Sequence, residues 1–178
     1  MRSAIIFLTD GFEEMEALVT ADILRRAGVN TELVSITGNL EVRGSHDIRI
    51  IADSLFNADV KADMLILPGG PGAAAFIGNR ALADLLIRHN SNGEYLAAIC
   101  AAPVTLGKLG LLRDKTATCY PGVADDLCAA MYCTDMVVTD GNITTARGPG
   151  ASAAFGLALA EILVGTEEML RIKAAMIL

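Results

Sequence analysis

The segment Glu94-Tyr95-Leu96-Ala97-Ala98-Ile99-Cys100-Ala101-Ala102-Pro103 carries a short apolar run up to a cysteine at a sharp boundary. The run from Tyr95 to Ile99 has the length and apolarity of a buried parallel strand. Pro103 is followed by apolar residues at helical spacing, which predicts a helix that begins just after Cys100, because proline is tolerated only in the first turn of a helix. The segment therefore predicts a strand, a tight turn that holds Cys100, and a helix.

This position has a chemical consequence for Cys100. Unpaired N–H groups and the positive end of the helix dipole gather at a helix N-terminus, where they stabilise a thiolate relative to a thiol. We therefore expect the pKa of Cys100 to fall below the usual value of about 8.5. The small residues Ala98, Ala101 and Ala102 suit a tight turn, as small residues do around the nucleophilic serine of hydrolases. A buried structural cysteine is the alternative, because cysteine is among the most buried residue types.

Length and composition bound the class of protein. The 178 residues are enough for one domain with a substantial core, and we expect a single domain over residues 1–178. A net charge of -7 argues against nucleic-acid binding, since phosphates attract clustered Lys and Arg. No apolar run approaches the roughly 18 residues of a membrane span. The short apolar run near Met1 is followed at once by acids, so it predicts a first strand and not a signal peptide.

The cysteines and histidines argue against a metal centre. The four cysteines, at positions 100, 119, 128 and 133, form no CxxC pair, and the chain has only two histidines. A zinc site is difficult to assemble from that set. Without a secretory signal, we expect reduced thiols and a cytoplasmic location.

Strands alternate with helices along the chain, which predicts an α/β fold with a mostly parallel sheet covered on both faces. Hairpins are expected within residues 37–53 and 136–145, the second because Asp-Gly favours tight turns. The predicted strands cover residues 4–8, 31–36, 64–67, 95–99 and 116–120, and the predicted helices cover residues 13–27, 73–77, 81–89, 123–131, 151–164 and 166–177.

A glycine-rich loop, Pro68-Gly69-Gly70-Pro71-Gly72, follows the strand at residues 64–67. Such glycines let the backbone approach a ligand or a neighbouring side chain, and they free N–H groups to stabilise an anion. The loop lacks the GxxxxGK[ST] and GxGxxG patterns, so we expect no nucleotide cofactor. In open α/β sheets, ligands bind outside the carboxyl ends of the strands. Gly11, this loop and Cys100 all fall at that edge, which favours the reactive interpretation of Cys100.

Four ordered motifs make the chain resemble a known family over essentially its whole length. They resemble the ThiJ/PfpI superfamily and, within it, the Parkinsonism-associated protein deglycase clade. The motifs are Gly11-Phe12-Glu13-Glu14-Met15-Glu16, Leu67-Pro68-Gly69-Gly70, Ala97-Ala98-Ile99-Cys100-Ala101-Ala102-Pro103 and Arg147-Gly148-Pro149-Gly150.

The resemblance implies a flavodoxin-like three-layer sandwich, a homodimer, a catalytic Cys100 and no cofactor or metal. It also implies that Glu16 is held protonated against the cysteine, which agrees with the raised pKa of a carboxyl group kept away from water. Backbone N–H groups of Gly70 and Ala101 are the implied oxyanion donors. The residues alone do not separate Glu16 from Glu13 and Glu14, which suit solvated acids of a first helical turn.

Gly69, Tyr120 and His46 are the further candidates for the pocket. Tyr120 stands where better-characterised members of the clade often have a histidine near the cysteine, and His46 stands where some have an arginine. A phenol with a pKa of about 10 cannot replace imidazole as a base near neutral pH. A lone histidine such as His46 is either a surface or structural residue or part of the mouth of a site formed by loops.

The resemblance implies two functions that the sequence leaves open. One is a cysteine-dependent glyoxalase or deglycase, acting on methylglyoxal, glyoxal or their protein adducts. The other is an oxidative-stress sensor or holdase chaperone that uses an oxidisable Cys100 without turnover. For the implied dimer, the first helix carries an apolar stripe of Met15, Leu18 and Val19, which serves either the core or a partner.

Overall fold

A seven-stranded sheet crosses the centre of the computed structural model, which describes residues 1–178. The strand order is β10-β11-β7-β6-β1-β2-β5, and every neighbouring pair is parallel except β10 and β11. Its strands are β1 (Ser3–Leu8), β2 (Asn30–Ser35), β5 (Ser54–Leu55), β6 (Met64–Leu67), β7 (Tyr95–Ile99), β10 (Val137–Asp140) and β11 (Ile143–Ala146).

Helices cover both faces of this sheet, so the predicted α/β three-layer sandwich with a mostly parallel sheet is confirmed. Helices α1, α5 and α6 pack on one face and α2, α3 and α4 on the other. Their bounds are α1 (Glu14–Arg26), α2 (Ala74–Gly78), α3 (Arg80–Ser91), α4 (Pro103–Lys108), α5 (Ser152–Val164) and α6 (Thr166–Ala175).

Strand β1 shows why apolar residues occupy every position of the central strands and do not alternate with polar residues. Side chains of a strand point to opposite faces in turn. Ala4, Ile6 and Leu8 belong to the core on the α1 side, whereas Ile5 and Phe7 belong to the core on the α3 side. A strand covered on both faces needs apolar residues at every position, which is the pattern expected of parallel sheets.

Helices α1 and α5 form the closest helix pair of the fold, and a glycine makes their approach possible. A Cβ atom at Gly156 would lie 2.8 Å from Cδ1 of Ile23. Because real Cβ atoms do not come so close, α5 packs on α1 at a position where it has no side chain. This contact fixes α1, and with it Glu16, against the sheet.

The predicted hairpins are present. Strands β3 (Glu41–Arg43) and β4 (Arg49–Ile51) pair in antiparallel fashion as a separate two-stranded sheet, and β5 takes the edge of the central sheet beside β2. Strands β10 and β11 are joined by Gly141 and Asn142, with Gly141 at a positive φ of 62°. None of the helices has the length and apolarity needed to cross a membrane.

Residues 116–131 differ from the prediction. Only Thr116–Ala117 form a strand (β8), which pairs with Met131–Tyr132 (β9) and not with the central sheet. The helix predicted over residues 123–131 is wrong: Pro121–Asp126 form a 3-10 helix, and Cys128 then takes a left-handed conformation with a φ of 53°. A left-handed residue ends any helix, so the chain turns back towards β9.

The order of the sheet brings three loops together. Strand β1 lies between β2 and β6, so the chain reverses its direction of winding on either side of β1. The carboxyl ends of β1, β6 and β7 lead into Thr9–Glu13, the Pro68–Pro71 loop and Cys100. This is the topological switch point at which ligands of such sheets bind.

Candidate active site

Cys100 occupies the turn between β7 and α4 in a strained conformation. Its φ is +65°, a region that residues other than glycine rarely adopt. Its N–H donates to the carbonyl oxygen of Ala146 at 2.8 Å, and Ala102 N–H donates to the carbonyl oxygen of Ile99 at 3.1 Å. Such strain costs about 1–3 kcal/mol and persists where surrounding contacts enforce it, often at functional sites. The predicted strand, turn and helix are therefore present, with Cys100 8% exposed.

Glu16 comes from the first turn of α1 and lies against Cys100. Its side chain is 1% exposed, and Oε2 accepts a 2.7 Å hydrogen bond from the N–H of Gly69. Oε1 is also buried and has no hydrogen-bond partner. The side chain of Cys100 lies next to this carboxyl group and lowers its pKa, although burial raises it more. A buried carboxyl group with one free oxygen beside a thiol is arranged to exchange a proton with it.

Burial governs the protonation of this pair. It raises the pKa of Glu16 to about 7, against opposing hydrogen bonds from Cys100 and from the backbone of Gly69. Burial, followed by the negative charge of Glu16, raises the pKa of Cys100 to about 12. The expectation that the helix N-terminus lowers the pKa of Cys100 is therefore wrong when Glu16 is ionised. Loss of hydration raises the pKa of the thiol by more than the backbone dipoles lower it. Two such groups titrate as a unit, which loses its first proton near neutral pH and retains the second.

Two backbone N–H groups oppose this effect at the sulfur. The backbone N–H groups of Gly70 and Ala101 lower the pKa of the Cys100 thiol, although burial outweighs them. Gly70 has a φ of +95°, and a Cβ there would lie 2.4 Å from the carbonyl oxygen of Gly11. Only glycine fits that position, so the loop presents its N–H to the sulfur. These are the two donors implied by the family resemblance.

Gly69 separates the two catalytic candidates. A Cβ atom on Gly69 would lie 2.6 Å from Cβ of Cys100 and 2.7 Å from Oε2 of Glu16. Any side chain here would therefore push the carboxyl group and the thiol apart. Gly69 thus lies between the two side chains, and its N–H donates to Glu16.

Glu13 and Glu14 are not the solvated first-turn acids that their pattern suggests. They are 7% and 5% exposed. Glu13 is the N-cap of α1, where Oε2 accepts a 2.8 Å hydrogen bond from the N–H of Glu16. Glu14 accepts from the N–H of His46 at 2.6 Å, from its Nδ1 at 2.8 Å and from Oγ of Ser45 at 3.1 Å. Of the three acids, only Glu16 contacts Cys100.

His46 therefore makes its contacts away from the Cys100 thiol. It lies in the turn between β3 and β4 with its side chain 71% exposed, and its ring pairs with Glu14 and not with Cys100. Burial raises the pKa of Glu14, but the hydrogen bonds from His46 and Ser45 outweigh it and lower the pKa to about 2. The hydrogen bond to Glu14 in turn raises the pKa of His46. The pair joins the hairpin to the first turn of α1.

Tyr120 reaches the site through its backbone. Its N–H donates to the carbonyl oxygen of Cys100 at 2.8 Å, which helps to hold the strained turn. Its side chain is half exposed and lies over Gly148, in a shallow cleft that Met136 and Pro149 also line. None of Cys100, Glu16, Gly69 and Gly70 lines this cleft.

Two carboxyl groups and one imidazole lie close enough together to bind one cation. The ligand atoms of Glu13, Glu14 and His46 all lie within 4.8 Å of one another. The oxygens of Glu14 already accept hydrogen bonds from His46 and Ser45, and Glu13 caps α1. Both oxygens of Glu14 and one oxygen of Glu13 thus already accept hydrogen bonds within the chain.

The remaining cysteines differ from Cys100 in their surroundings. Cys119 is fully buried, and burial raises the pKa of its thiol to about 11. Cys128 is exposed and Cys133 is half-buried. No carboxyl group accompanies any of these three thiols in a hydrogen bond.

Comparison with known proteins identifies the family of this chain. The model of the DJ-1/PfpI family matches residues 2–162. The chain belongs to the DJ-1/PfpI family. The predicted membership of this superfamily and of its DJ-1 clade is thereby confirmed.

Three relatives match this DJ-1/PfpI chain over nearly their full length. It is 40% identical over 173 residues to protein dj-1beta of Drosophila melanogaster, covering 94% of this chain and 92% of that one. It is 32% identical over 173 residues to the glutathione-independent glyoxalase DJR-1.2 of Caenorhabditis elegans, covering 94% and 91%. The solved structure of oxidised Toxoplasma gondii DJ-1 superposes with a TM-score of 0.96 at 32% identity, covering 99% and 98%.

Some features of the site have no signal in the sequence. The hydrogen bond between Glu16 and Gly69 joins residues far apart in the chain, and the buried state of Glu13 and Glu14 depends on the hairpin that covers them. A groove beside Gly70 and Ala101 is lined by Ile77 and Val104. In the sequence these two residues look like ordinary apolar helix residues, so the apolar pattern does not identify them as part of a site.

Proposed function

We propose that this protein is a cysteine-dependent glyoxalase that acts on small reactive carbonyls such as methylglyoxal and glyoxal. The observation that carries the proposal is the buried pair of Cys100 and Glu16 beneath the N–H groups of Gly70 and Ala101. The similarity to a relative named as a glutathione-independent glyoxalase supports it. Cys100 is only 8% exposed, which favours small free aldehydes over adducts on bulky proteins. Four free thiols suit a reducing compartment such as the cytoplasm.

The first step is attack of Cys100 Sγ on the aldehyde carbon. The pair loses its first proton near pH 7. Because burial raises the pKa of Cys100 to about 12, the negative charge then lies mainly on Glu16. The reactive form is the minor arrangement in which the proton has moved from the Cys100 thiol to Glu16, so that the sulfur is a thiolate. The C–S bond forms while the π pair of the carbonyl moves to its oxygen. The N–H groups of Gly70 and Ala101 stabilise that oxygen, and Glu16 donates its proton to it, which gives a hemithioacetal.

The second step moves a proton between two carbons. The Glu16 carboxylate removes the proton from the former aldehyde carbon and delivers it to the neighbouring ketone oxygen, which gives an enediol. Glu16 then takes the proton of the hydroxyl group on the sulfur-bearing carbon and delivers it to the neighbouring carbon, which leaves a thioester on Cys100. Water then hydrolyses the thioester, so that methylglyoxal becomes lactate by net addition of water, with no external oxidant. A carboxyl group with a pKa of about 7 can both accept and donate a proton near neutral pH.

Steady-state kinetics on methylglyoxal test the proposal. Wild type should turn over the substrate, and Cys100→Ala should show no rate above the uncatalysed background. Cys128→Ala is the matched control, because Cys128 is an exposed thiol outside the site. Equal turnover by wild type and Cys100→Ala would overturn the proposed activity.

A second candidate function is redox sensing through Cys100. The structure of the Toxoplasma gondii relative was solved in an oxidised form. A thiolate and two peroxide molecules give a sulfinate and two water molecules, and the proton of Glu16 and the two N–H groups are placed to bind the added oxygens. Peptide mass after mild peroxide treatment should show two oxygen atoms on Cys100 first. Earlier oxidation of Cys128 or Cys133 would rule out the sensor.

A further inference from the structure

A groove lies beside the candidate active site, on the α3 face of the sheet. It has a volume of about 320 Å³ and runs between α2, α4 and the 3-10 helix at Pro121–Asp126. Its lining is mostly apolar, and its two charged residues, Lys108 and Asp126, are both exposed and so lie towards solvent. The apolar side chains that line it are those of Ala73, Ala74, Ile77, Val104 and Val123.

The groove shares a wall with the reactive centre. Gly70 and Ala101 line it, and the backbone N–H groups of these two residues also lower the pKa of the Cys100 thiol. Cys100 itself does not line the groove, so a substrate on Cys100 would extend past Gly70 and Ala101 to enter it. A cleft of about 440 Å³ at Lys61, Arg88 and Glu94 shares no residue with the site.

The far wall of the groove is held by a close contact. A Cβ atom on Gly107 would lie 1.7 Å from the carbonyl oxygen of Leu127, so the chain that follows the 3-10 helix rests directly on α4. Leu127 itself is 1% exposed and anchors this chain in the core. The groove is therefore bounded by packed segments on both sides.

We propose that this groove binds the apolar substituent of the carbonyl substrate, and that the preferred substrates are 2-oxoaldehydes with a substituent larger than methyl. The inference rests on the proposed glyoxalase function and names the substrate class of the same site. Val104 and Ile77, half-buried on α4 and α2, determine the specificity by contact with the substituent.

The volume of the groove supports a substituent of this size. Small-molecule sites span about 300–1,000 Å³, and the groove falls at the lower end of that range. The methyl group of methylglyoxal would leave most of it to water. A phenyl group or a short alkyl chain would displace that water from an apolar lining, which is favourable.

Alkylation of Cys100 by two α-bromoketones tests the inference without requiring turnover. Bromoacetone and phenacyl bromide each form a C–S bond while bromide leaves with the electron pair of its bond. They leave on sulfur the same S–C–C(=O)–R skeleton as a 2-oxoaldehyde, with R as methyl or phenyl. Peptide mass spectrometry measures the two rates at Cys100, and N-acetylcysteine gives the intrinsic ratio of phenyl to methyl reagent.

The ratio at wild-type Cys100 should exceed the intrinsic ratio by on the order of tenfold or more, as apolar pockets discriminate by that amount. Val104→Phe fills the groove and should return the ratio towards the intrinsic value. Val164→Phe is the matched control, because Val164 is equally half-buried at the end of α5 on the other face of the sheet. It should keep the wild-type ratio.

Each outcome of the alkylation and turnover measurements supports or overturns one part of the inference. A wild-type ratio equal to that of N-acetylcysteine would overturn the inference, whatever the variants do, and would mean that another occupant or none fills the groove. A high ratio that Val104→Phe leaves unchanged would also overturn it, because selectivity would then arise elsewhere. Absence of turnover on methylglyoxal and phenylglyoxal, with the alkylation ratio as expected, would overturn the proposed glyoxalase and leave the groove as a binding site for an apolar carbonyl compound.

Discussion

The Glu16 carboxyl group meets the Cys100 thiol in a buried contact, and the N–H of Gly69 fixes one oxygen of that carboxyl at 2.7 Å. Glu16 comes from α1, Gly69 from the loop after β6, and Cys100 from the turn after β7. Three elements that are neighbours only in the folded sheet therefore surround the proton that Glu16 and Cys100 share. The chemistry of the site depends on which of the two groups holds that proton.

The pH dependence of Cys100 alkylation by iodoacetamide tests the location of this proton. We expect the rate to rise with a midpoint near pH 7, where the pair loses its first proton. In Glu16→Gln, which keeps a hydrogen-bond donor, no carboxylate is present to take the thiol proton, and burial raises the pKa of the thiol, so the midpoint should move above pH 7. A wild-type midpoint far above neutral, or one that Glu16→Gln leaves unchanged, would show that Glu16 does not take the proton of Cys100.

Glu16→Gln should also lower the turnover of methylglyoxal. Glutamine keeps the size of the side chain and an oxygen for the N–H of Gly69, but it has no transferable proton. We expect a loss on the order of 10²–10⁴-fold, which is typical of a general acid–base group. Glu14→Gln is the matched control from the same helical turn, since Glu14 is equally buried but bonds to the hairpin. Equal losses in the two variants would contradict the role of Glu16.

Gly69→Ala should destabilise the protein and impair the site together. The added Cβ would lie 2.6 Å from Cβ of Cys100, so the backbone must move. Overpacking of this kind costs about 1–3 kcal/mol, which denaturant unfolding measures. Gly78→Ala is the control, because a Cβ there has no neighbour within 4 Å. An unfolding free energy of Gly69→Ala equal to that of wild type would show that the site is not packed as described.

His46→Ala should lower stability in a pH-dependent way. The lowered pKa of Glu14, about 2, gives stability that is present above its ordinary value of 4.5 and is lost as the pH falls through about 2. The raised pKa of His46 gives stability that is present below its ordinary value of 6.5 and is lost as the pH rises above the folded value. The difference in Tm between wild type and variant should therefore be largest between about pH 4.5 and 6.5. A difference that does not vary with pH would exclude this ion pair as its cause.

We expect a homodimer, as the family resemblance implies. Met15 on α1 is 52% exposed, and Ile48 and Ile51 on the adjoining hairpin are 51% and 65% exposed. Hydrogen bonds of Glu14 to Ser45 and His46 join these two elements, and exposed apolar side chains on joined elements suit a surface that another chain covers. Sedimentation at micromolar concentration should give about twice the monomer mass of 18.6 kDa, and Met15→Asp should reduce it to the monomer. A monomeric wild type would contradict this prediction.

Much of the fold follows from local patterns. The apolar run that ends at Cys100 and the proline that follows it predict a strand, a turn and a helix, which the structure has. The same reasoning fails between Val123 and Met131, where apolar spacing indicates a helix. There the chain lies on α4 at Gly107 and takes a left-handed turn at Cys128. Tertiary contact overrides the local preference at that point.

The sequence by itself determined the order of the elements, the cysteine at the end of β7 and the glycines of the adjacent loop. Only the tertiary structure decided which acid meets the thiol, because Glu13, Glu14 and Glu16 have the same chemistry and differ only in direction around α1. It also decided that burial raises the pKa of Cys100 although the residue lies at a helix N-terminus. The physical reason is that hydration, and with it the energy of a charge, depends on what the whole fold places around an atom and not on its neighbours in sequence.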